Sequence, residues 1–255
     1  MKVVIACPSY KRPNGVDTLA YLPSTKVYVS ASEFEAYKKN YPKANIISVD
    51  PKFQGNLCRI RNYILDDNKG DIVCIIDDDL KFLGYFEKNT VVKLTCEADV
   101  ISFLIKYSNL ALDLGVKLWG INISPDKQNY REYTPFSLTS YIGGPFMVHL
   151  DTDLRFDERF PLKEDYDFTL QNLNKYRKVL RVNKFFYSVK QVEQVGGVAE
   201  YRNLDEEKRQ LKELQKKWGN KIVQTDSLEN SRSHSSTKKR NVDINPIIRV
   251  PIKGV

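Results

Sequence analysis

The chain has 255 residues, 42% hydrophobic and 28% charged, the proportions of a globular protein that can bury one substantial core. No apolar run reaches the ~20 residues that span a bilayer and no secretory leader precedes Lys2-Val3-Val4-Ile5, so a cytoplasmic location without a membrane partner is the expectation. A net charge of +8, from 40 basic and 32 acidic residues, favours polyanionic partners such as nucleic acid or phosphorylated substrates.

The spacing predicts strands over Lys2–Cys7, Lys26–Ser30 and Asn45–Val49, and helices over Glu33–Asn40 and Leu57–Asp66. The run Asp71-Ile72-Val73-Cys74-Ile75-Ile76 lacks alternation and reads as a strand buried on both faces. Strands alternating with helices across short loops predict βαβ units, hence an α/β fold with a mostly parallel central sheet flanked by helices. In such sheets, functional groups gather beyond the carboxyl ends of the strands. The Pro8-Ser9-Tyr10-Lys11-Arg12-Pro13 loop, Ser30, Asp50 and Asp77-Asp78-Asp79 all fall at such ends.

Further along, a helix is expected over Ala98–Leu114, a strand over Val116–Ile123 and another over Tyr141–Val148. Glu164-Asp165-Tyr166-Asp167 opens a helix to about Tyr176, and a hairpin across Asn183 joins Lys178–Val182 to Lys184–Val189. A last helix carries Leu204, Leu211, Leu214 and Trp218 on one face, with Asn203 and Glu206 as a capping box and Gly219 as its end. Ser227–Arg240 has no apolar face and reads as a flexible stretch or lid. The tail Ile244–Val255 is expected to dock back on the body. Cys7, Cys58, Cys74 and Cys96 have neither C-x-x-C spacing nor nearby histidines, so reduced and mostly buried thiols are expected.

Three consecutive carboxylates at a strand end repel one another unless a cation or paired donors sit among them. Along extended chain Asp77 and Asp79 point one way and Asp78 the other, so two acids on one side suit a hard divalent metal. A solvated acidic turn is the plain alternative.

In order, Cys7-Pro8-Ser9-Tyr10-Lys11-Arg12-Pro13, Gly55 through Arg61-Asn62, Asp77-Asp78-Asp79, Gly143-Gly144-Pro145-Phe146-Met147, Phe156-Asp157-Glu158-Arg159-Phe160 and Glu164-Asp165-Tyr166-Asp167 resemble the motif series of nucleotide-sugar-dependent glycosyltransferases of the A-type (GT-A) fold. The resemblance covers roughly residues 1–190, with 1–80 as nucleotide-sugar half and 81–190 as acceptor half. Residues 191–255 form a C-terminal helix, basic segment and tail. Relatives often carry a base-reading acid where this chain has Ser30-Ala31-Ser32; a uridine nucleotide is the commonest donor. The Q-x-x-R-W motif of processive synthases is missing, which implies a non-processive enzyme. Gly196-Gly197-Val198-Ala199-Glu200-Tyr201-Arg202-Asn203 with Lys216-Lys217-Trp218-Gly219 looks most like small phage enzymes that glycosylate hypermodified DNA bases, especially 5-hydroxymethylcytosine.

The resemblance implies a Mn²⁺ or Mg²⁺ cofactor bound by Asp79 and, directly or through water, by Asp77, with Asp78 beside the ribose or holding its loop. Pro8, Ser9, Tyr10, Arg12, Arg61 and Asn62 fall in the donor motifs. Arg61, with Lys11 or Arg12, is expected at the phosphates or donor sugar, with a surface ion pair as the alternative. Tyr10 is expected to stack on the base or simply to pack. Gly143-Gly144 would admit a sugar close to the backbone or form a bulge. Asp165 is the expected general base of an inverting transfer, with Glu164 or Asp167 orienting the helix or contacting a sugar hydroxyl. His149 is expected to be structural. His234 is a candidate further metal ligand, and Arg232–Arg240 could instead grip nucleic-acid phosphates. The partners implied are a nucleotide sugar and DNA. A saccharide, lipid-linked or protein acceptor is the alternative; a non-catalytic nucleic-acid module on the same scaffold is another. A nucleotidyltransferase lacks its expected G-x-G-T-R-like loop here.

Overall fold

A computed structural model describes residues 2–88, 90–123, 125–126, 130–189, 196–225 and 244–252. The first half runs β1 (Val3–Pro8), α1 (Thr18–Tyr21), β2 (Lys26–Ser30), α2 (Phe34–Asn40), β3 (Asn45–Val49), α3 (Leu57–Asp67) and β4 (Ile72–Ile76). These four strands lie parallel in the order β3-β2-β1-β4. All five β4 residues are buried because helices cover both faces. Ile72, Cys74 and Ile76 pack with Phe103, Leu104 and Trp119, whereas Val73 and Ile75 pack with Ile60, Ile64 and Phe168. This two-sided cover is why the run shows no polar alternation.

The second half comprises β5 (Leu80–Glu87), β6 (Thr90–Lys93), α4 (Glu97–Asp113), β7 (Leu118–Asn122), β8 (Phe136–Ser137), β9 (Phe146–Leu150), α5 (Glu164–Tyr176), β10 (Leu180–Val189), α6 (Leu204–Trp218), β11 (Val223–Thr225) and β12 (Pro246–Ile248). The sheet continues from β4 through β9, β7, β10 and β5 to β6. β9 is antiparallel to both β4 and β7, so the parallel half meets a mixed half at the strand that carries the acids. The result is an α/β fold with a mixed central sheet between helices.

Several expectations change. The hairpin across Asn183 does not form: β10 is one strand that pairs parallel with β7 through Leu180–Val182, then antiparallel with β5 through Phe185–Val189. Asn183 offers no tight turn because it is tied elsewhere, its backbone N–H donating to Pro135 O at 2.9 Å and its amide to Thr134 O at 2.9 Å. The β5–β6 hairpin was not expected, since Gly84 interrupts the apolar pattern. A Cβ there would lie 2.8 Å from the Phe186 ring and 3.0 Å from Val92 O, so the glycine makes room for a neighbouring strand's aromatic ring. The strand expected from Tyr141 starts only at Phe146; 141–145 is loop. Leu204, placed on the buried face of α6, is exposed, while Leu211 and Leu214 are buried.

The tail docks as expected over its described part: β12 pairs antiparallel with β11, and Val250 and Ile252 pack against the core. Asn203 caps α6 by accepting from Glu206 N at 2.9 Å. Cys7, Cys58 and Cys74 are buried free thiols and Cys96 is exposed. Among the described residues no helix is long and apolar enough to cross a membrane.

Candidate active site

At the carboxyl ends of β1 and β4 lies a cleft of about 900 Å³. Its first wall is the loop after β1. Ser9 N donates to Tyr28 O at 3.0 Å, and the Ser9 hydroxyl donates to Asp78 Oδ2 at 2.7 Å. Arg12 pairs with Asp78 Oδ1 at 2.7 Å and donates to Gly196 O at 3.0 Å. Asp78 is buried and bonded to this loop through both carboxylate oxygens. Pro8, Ser9, Tyr10 and Arg12 all line the cleft.

Asp77 and Asp79 flank Asp78 and also line the cleft. The segment is anchored from α1, where Thr18 Oγ1 donates to Asp77 O at 2.7 Å and accepts from Leu80 N at 3.0 Å. Asp77 receives Arg61 at 3.2 Å and keeps a side chain 34% exposed. Asp79 has no side-chain hydrogen-bond partner among the described residues. Burial, then the charges of Asp77 and Asp78, push its carboxyl up to about 7.

Arg61 occupies a different place from the one expected. It is buried on α3, and its guanidinium donates to Glu164 Oε1 at 3.1 Å, to Asp77 Oδ1 at 3.2 Å and to Gly144 O at 3.0 Å. These bonds bridge the two acid sets, and Arg61, although its side chain is buried, also lines the cleft. Asn62, its neighbour in the motif, exchanges hydrogen bonds with the backbone of Phe156 at 2.9 and 2.7 Å; it holds that loop and is not among the cleft-lining residues.

α5 begins at Glu164, so its first-turn acids sit where the helix dipole favours them. Glu164 is buried, and burial with the adjacent Asp165 charge pushes its carboxyl up to about 8 against the pull of Arg61. Asp165 Oδ2 accepts from Tyr141 Oη and from Gly144 N, the latter at 2.9 Å, and Oδ1 accepts from Tyr166 N at 2.8 Å. Tyr141 stacks on Tyr166 with ring centroids 4.2 Å apart. Asp167 points away from the cleft. It accepts from Trp218 Nε1 at 2.8 Å and pairs with Lys217, so it fastens α6 to α5.

The paired glycines serve the protein's own packing. A Cβ on Gly143 would lie 2.6 Å from Ile123 and 2.7 Å from Tyr187 Oη; one on Gly144 would lie 3.1 Å from oxygens of both Glu164 and Asp165. Gly144 lines the cleft and Gly143 does not.

Other parts of the cleft come from Lys163 and Glu207, which sequence reasoning did not single out, and from 196–202, which it singled out only for its likeness to phage enzymes. Lys163 is buried just before α5 and pairs with buried Glu207 of α6; Arg202 Nε lies 3.3 Å from Glu207 Oε1. The stretch 196–202 lies against the loop after β1, with Gly197 N donating to Tyr10 O at 2.9 Å and Lys11 pairing with Glu200 at 2.7 Å. Gly196 and Gly197 have φ of +87° and +60°, and a Cβ on Gly196 would lie 2.8 Å from two backbone oxygens of that loop. Only glycine accepts both demands.

His149 is buried within β9 between Phe156 and Phe168, and burial pushes its pKa down to about 3. It is neutral and structural. His234, like 232–240, lies outside the described residues.

Among the described residues no three His, Cys, Asp or Glu side chains converge as a complete metal cage. The available donors are the two acids Asp77 and Asp79, Asp78 being bound to Ser9 and Arg12. An oxygen pair of this kind, with one member lacking a side-chain partner, fits a hard divalent ion that takes its other ligands from a diphosphate. Charge balance points the same way. Seven carboxylates (Asp77, Asp78, Asp79, Glu164, Asp165, Glu200 and Glu207) line the cleft against four cations (Arg12, Arg61, Lys163 and Arg202), and the raised Asp79 and Glu164 carboxyls reflect, after burial, this crowding of acids.

Solved structures similar to this chain include residues 1–349 of TarS from S. aureus, at 14% identity and a TM-score of 0.45, covering 73% of this chain and 60% of that one. A mannosyltransferase from Pyrobaculum calidifontis in complex with GDP-Man and Mn²⁺ aligns at 13% identity and a TM-score of 0.48, covering 71% and 54%. CMP:2-keto-3-deoxy-manno-octonic acid synthetase complexed with CTP aligns at 10% and 0.37, covering 72% and 90%. The chain thus spans little more than half of the first two. A search of curated proteins finds no match. The model of the TET-associated glycosyltransferase family matches residues 3–197, most of the chain, and the protein is therefore a glycosyltransferase belonging to that family.

Proposed function

We propose that the protein transfers a sugar from a nucleotide sugar, with a uridine nucleotide as favoured donor, to a hydroxyl on DNA, the favoured acceptor being hydroxymethylated or already glycosylated cytosine. The observation that carries the donor half is Asp79, a carboxylate without a side-chain partner in the same acid-rich cleft as Asp165. A Mn²⁺ or Mg²⁺ ion held by Asp79 and Asp77 would neutralise the departing diphosphate. The loop Pro8–Arg12 would carry the nucleotide, with Tyr10 against the base and Asp78 keeping the loop in shape.

Asp165 is the proposed general base. Tyr141 Oη, Gly144 N and Tyr166 N fix its orientation, and it would take the acceptor hydroxyl proton as that oxygen attacks the anomeric carbon on the face opposite the leaving group, inverting the configuration. Glu164, beneath it, balances Arg61. Residues 1–190 would supply the donor and acceptor halves, and the described parts of 191–255 complete the cleft wall. The acceptor assignment is supported by the net charge of +8 on a protein whose cleft is acidic, which leaves the basic excess outside the cleft, and by the phage-like stretch 196–203. The test is a panel of nucleotide sugars offered with Mn²⁺ and either plain or hydroxymethylated DNA, read by mass spectrometry of the nucleosides. A mass gain confined to hydroxymethylated DNA is expected. Donor turnover that never marks either DNA, but marks a saccharide or protein hydroxyl, would overturn the acceptor assignment.

A further inference from the structure

The basic residues of α6 divide into two sets. Two are paired: Arg209 with Glu206 one turn earlier on the same helix, and Lys217 with Asp157 and Asp167 on the body. Lys208, Lys212 and Lys216 are exposed, and none makes an ion pair among the described residues. Asp205 and Glu213, three positions before Lys208 and Lys216, do not close on them. Spaced by four residues, the three lysines form one stripe along the helix, with about 6 Å between successive members. Like charges at this spacing mildly destabilise a helix. The opposite face carries buried Glu207, Leu211 and Leu214, so core packing does not require lysine on the outer face.

The position of the stripe gives it a use. Glu207, one residue before Lys208, lines the cleft from the buried face of α6, so the first turn of α6 adjoins the cleft and the stripe runs away from there along the helix's outer face. A base reaching Asp165 from a duplex must leave the stack, and the backbone on either side of it then needs a grip close to the cleft. Phosphates of one strand advance about 3.4 Å each along the axis. The stripe spans about 12 Å, the axial rise of roughly three to four such steps. We propose that Lys208, Lys212 and Lys216 form a phosphate-tracking surface that holds the nucleic-acid acceptor beside the cleft. This proposal rests on the reading of DNA as the acceptor.

The test compares the full chain with its K208Q/K212Q/K216Q variant, glutamine being nearly as good a helix former as lysine. Binding to a short hydroxymethylated duplex is measured between about 50 and 200 mM salt, and hydrolysis of the nucleotide sugar without DNA is measured alongside. The variant is expected to flatten the slope of log affinity against log salt by about 2 to 3 and to bind about tenfold or more weakly in mid-range. Its melting temperature and DNA-free donor hydrolysis should match the parent's. An unchanged slope in a variant whose parent binds DNA overturns the stripe alone. A parent that does not bind DNA with salt dependence overturns the stripe and the acceptor assignment together, while intact donor hydrolysis keeps the transferase reading standing.

Discussion

Replacing Asp79 by asparagine should make the metal-free protein more stable while removing its activity. Asp79 sits partly buried beside Asp77 and Asp78, and its carboxyl is pushed up to about 7 from an ordinary value of 3.8. The native state therefore holds a proton that the unfolded chain has already lost between about pH 4 and pH 7. In that window stability falls as pH rises, and the penalty is complete above pH 7. A difference of one in pKa corresponds to about 1.4 kcal/mol, so the full penalty is at most about 4 kcal/mol. Solvent entering the open cleft screens part of it, leaving roughly 1–2 kcal/mol. For a chain of this size, that is about 2–8 °C in melting temperature. Melting curves of wild type and Asp79→Asn at pH 8 and pH 4, with and without Mn²⁺, provide the assay. The variant should melt higher at pH 8, and the advantage should vanish by pH 4. Mn²⁺ should raise the wild-type melting temperature by mass action and move the variant less. If the variant melts no higher than wild type at pH 8, or both respond equally to Mn²⁺, Asp79 is not an uncompensated metal-facing carboxylate.

Asp165→Asn should lower turnover by about 10²–10⁴ while leaving donor affinity intact, as measured by single-turnover rates alongside donor titration; NMR of the wild-type product should show an inverted anomeric centre. Arg61→Met should cost about 3–5 kcal/mol in urea unfolding, because it strands the buried Glu164 and releases Asp77. Gly144→Ala places a methyl 3.1 Å from both Glu164 and Asp165 oxygens and should reduce kcat roughly tenfold to a hundredfold by displacing the base, with donor KM little changed.

The parts of the fold visible in the sequence are those whose signal is local. β4 declares itself by an apolar run that ends in acids, and α6 by its cap and its spaced leucines. The bend in β10 does not, because the reason Asn183 makes no turn lies at Thr134 and Pro135, some fifty residues earlier. Arg61 illustrates the same limit within the site. An arginine in a donor motif suggests a phosphate ligand, but its partners Glu164 and Gly144 lie far along the chain, and they turn it into an internal strut. Lys163, Glu207 and Tyr141 carried no signal in sequence because each matters only through a residue brought to it by folding. Gly143-Gly144 was noticed for the right property, the absence of a side chain; the space it leaves is filled by Ile123, Tyr187 and the two acids.

The strut also explains how a cleft with so many carboxylates can persist. Asp77 at the end of β4 and Glu164 at the start of α5 both lean on one buried guanidinium, so the acids that end β4 and open α5 share a single counter-charge and cannot move independently. Asp78 is neutralised separately by Arg12, and Arg12 also holds Gly196. The donor loop is thereby tied to the chain that closes the cleft from the C-terminal side. Glu207 repeats the pattern, since its burial is offset by Lys163 and Arg202, which lie against it. Of the cleft's carboxylates, Asp79 alone has neither a cation nor a side-chain donor at bonding distance among the described residues. The molecule has balanced its other buried acids internally, and the one it leaves open faces the volume where a diphosphate and its metal would lie.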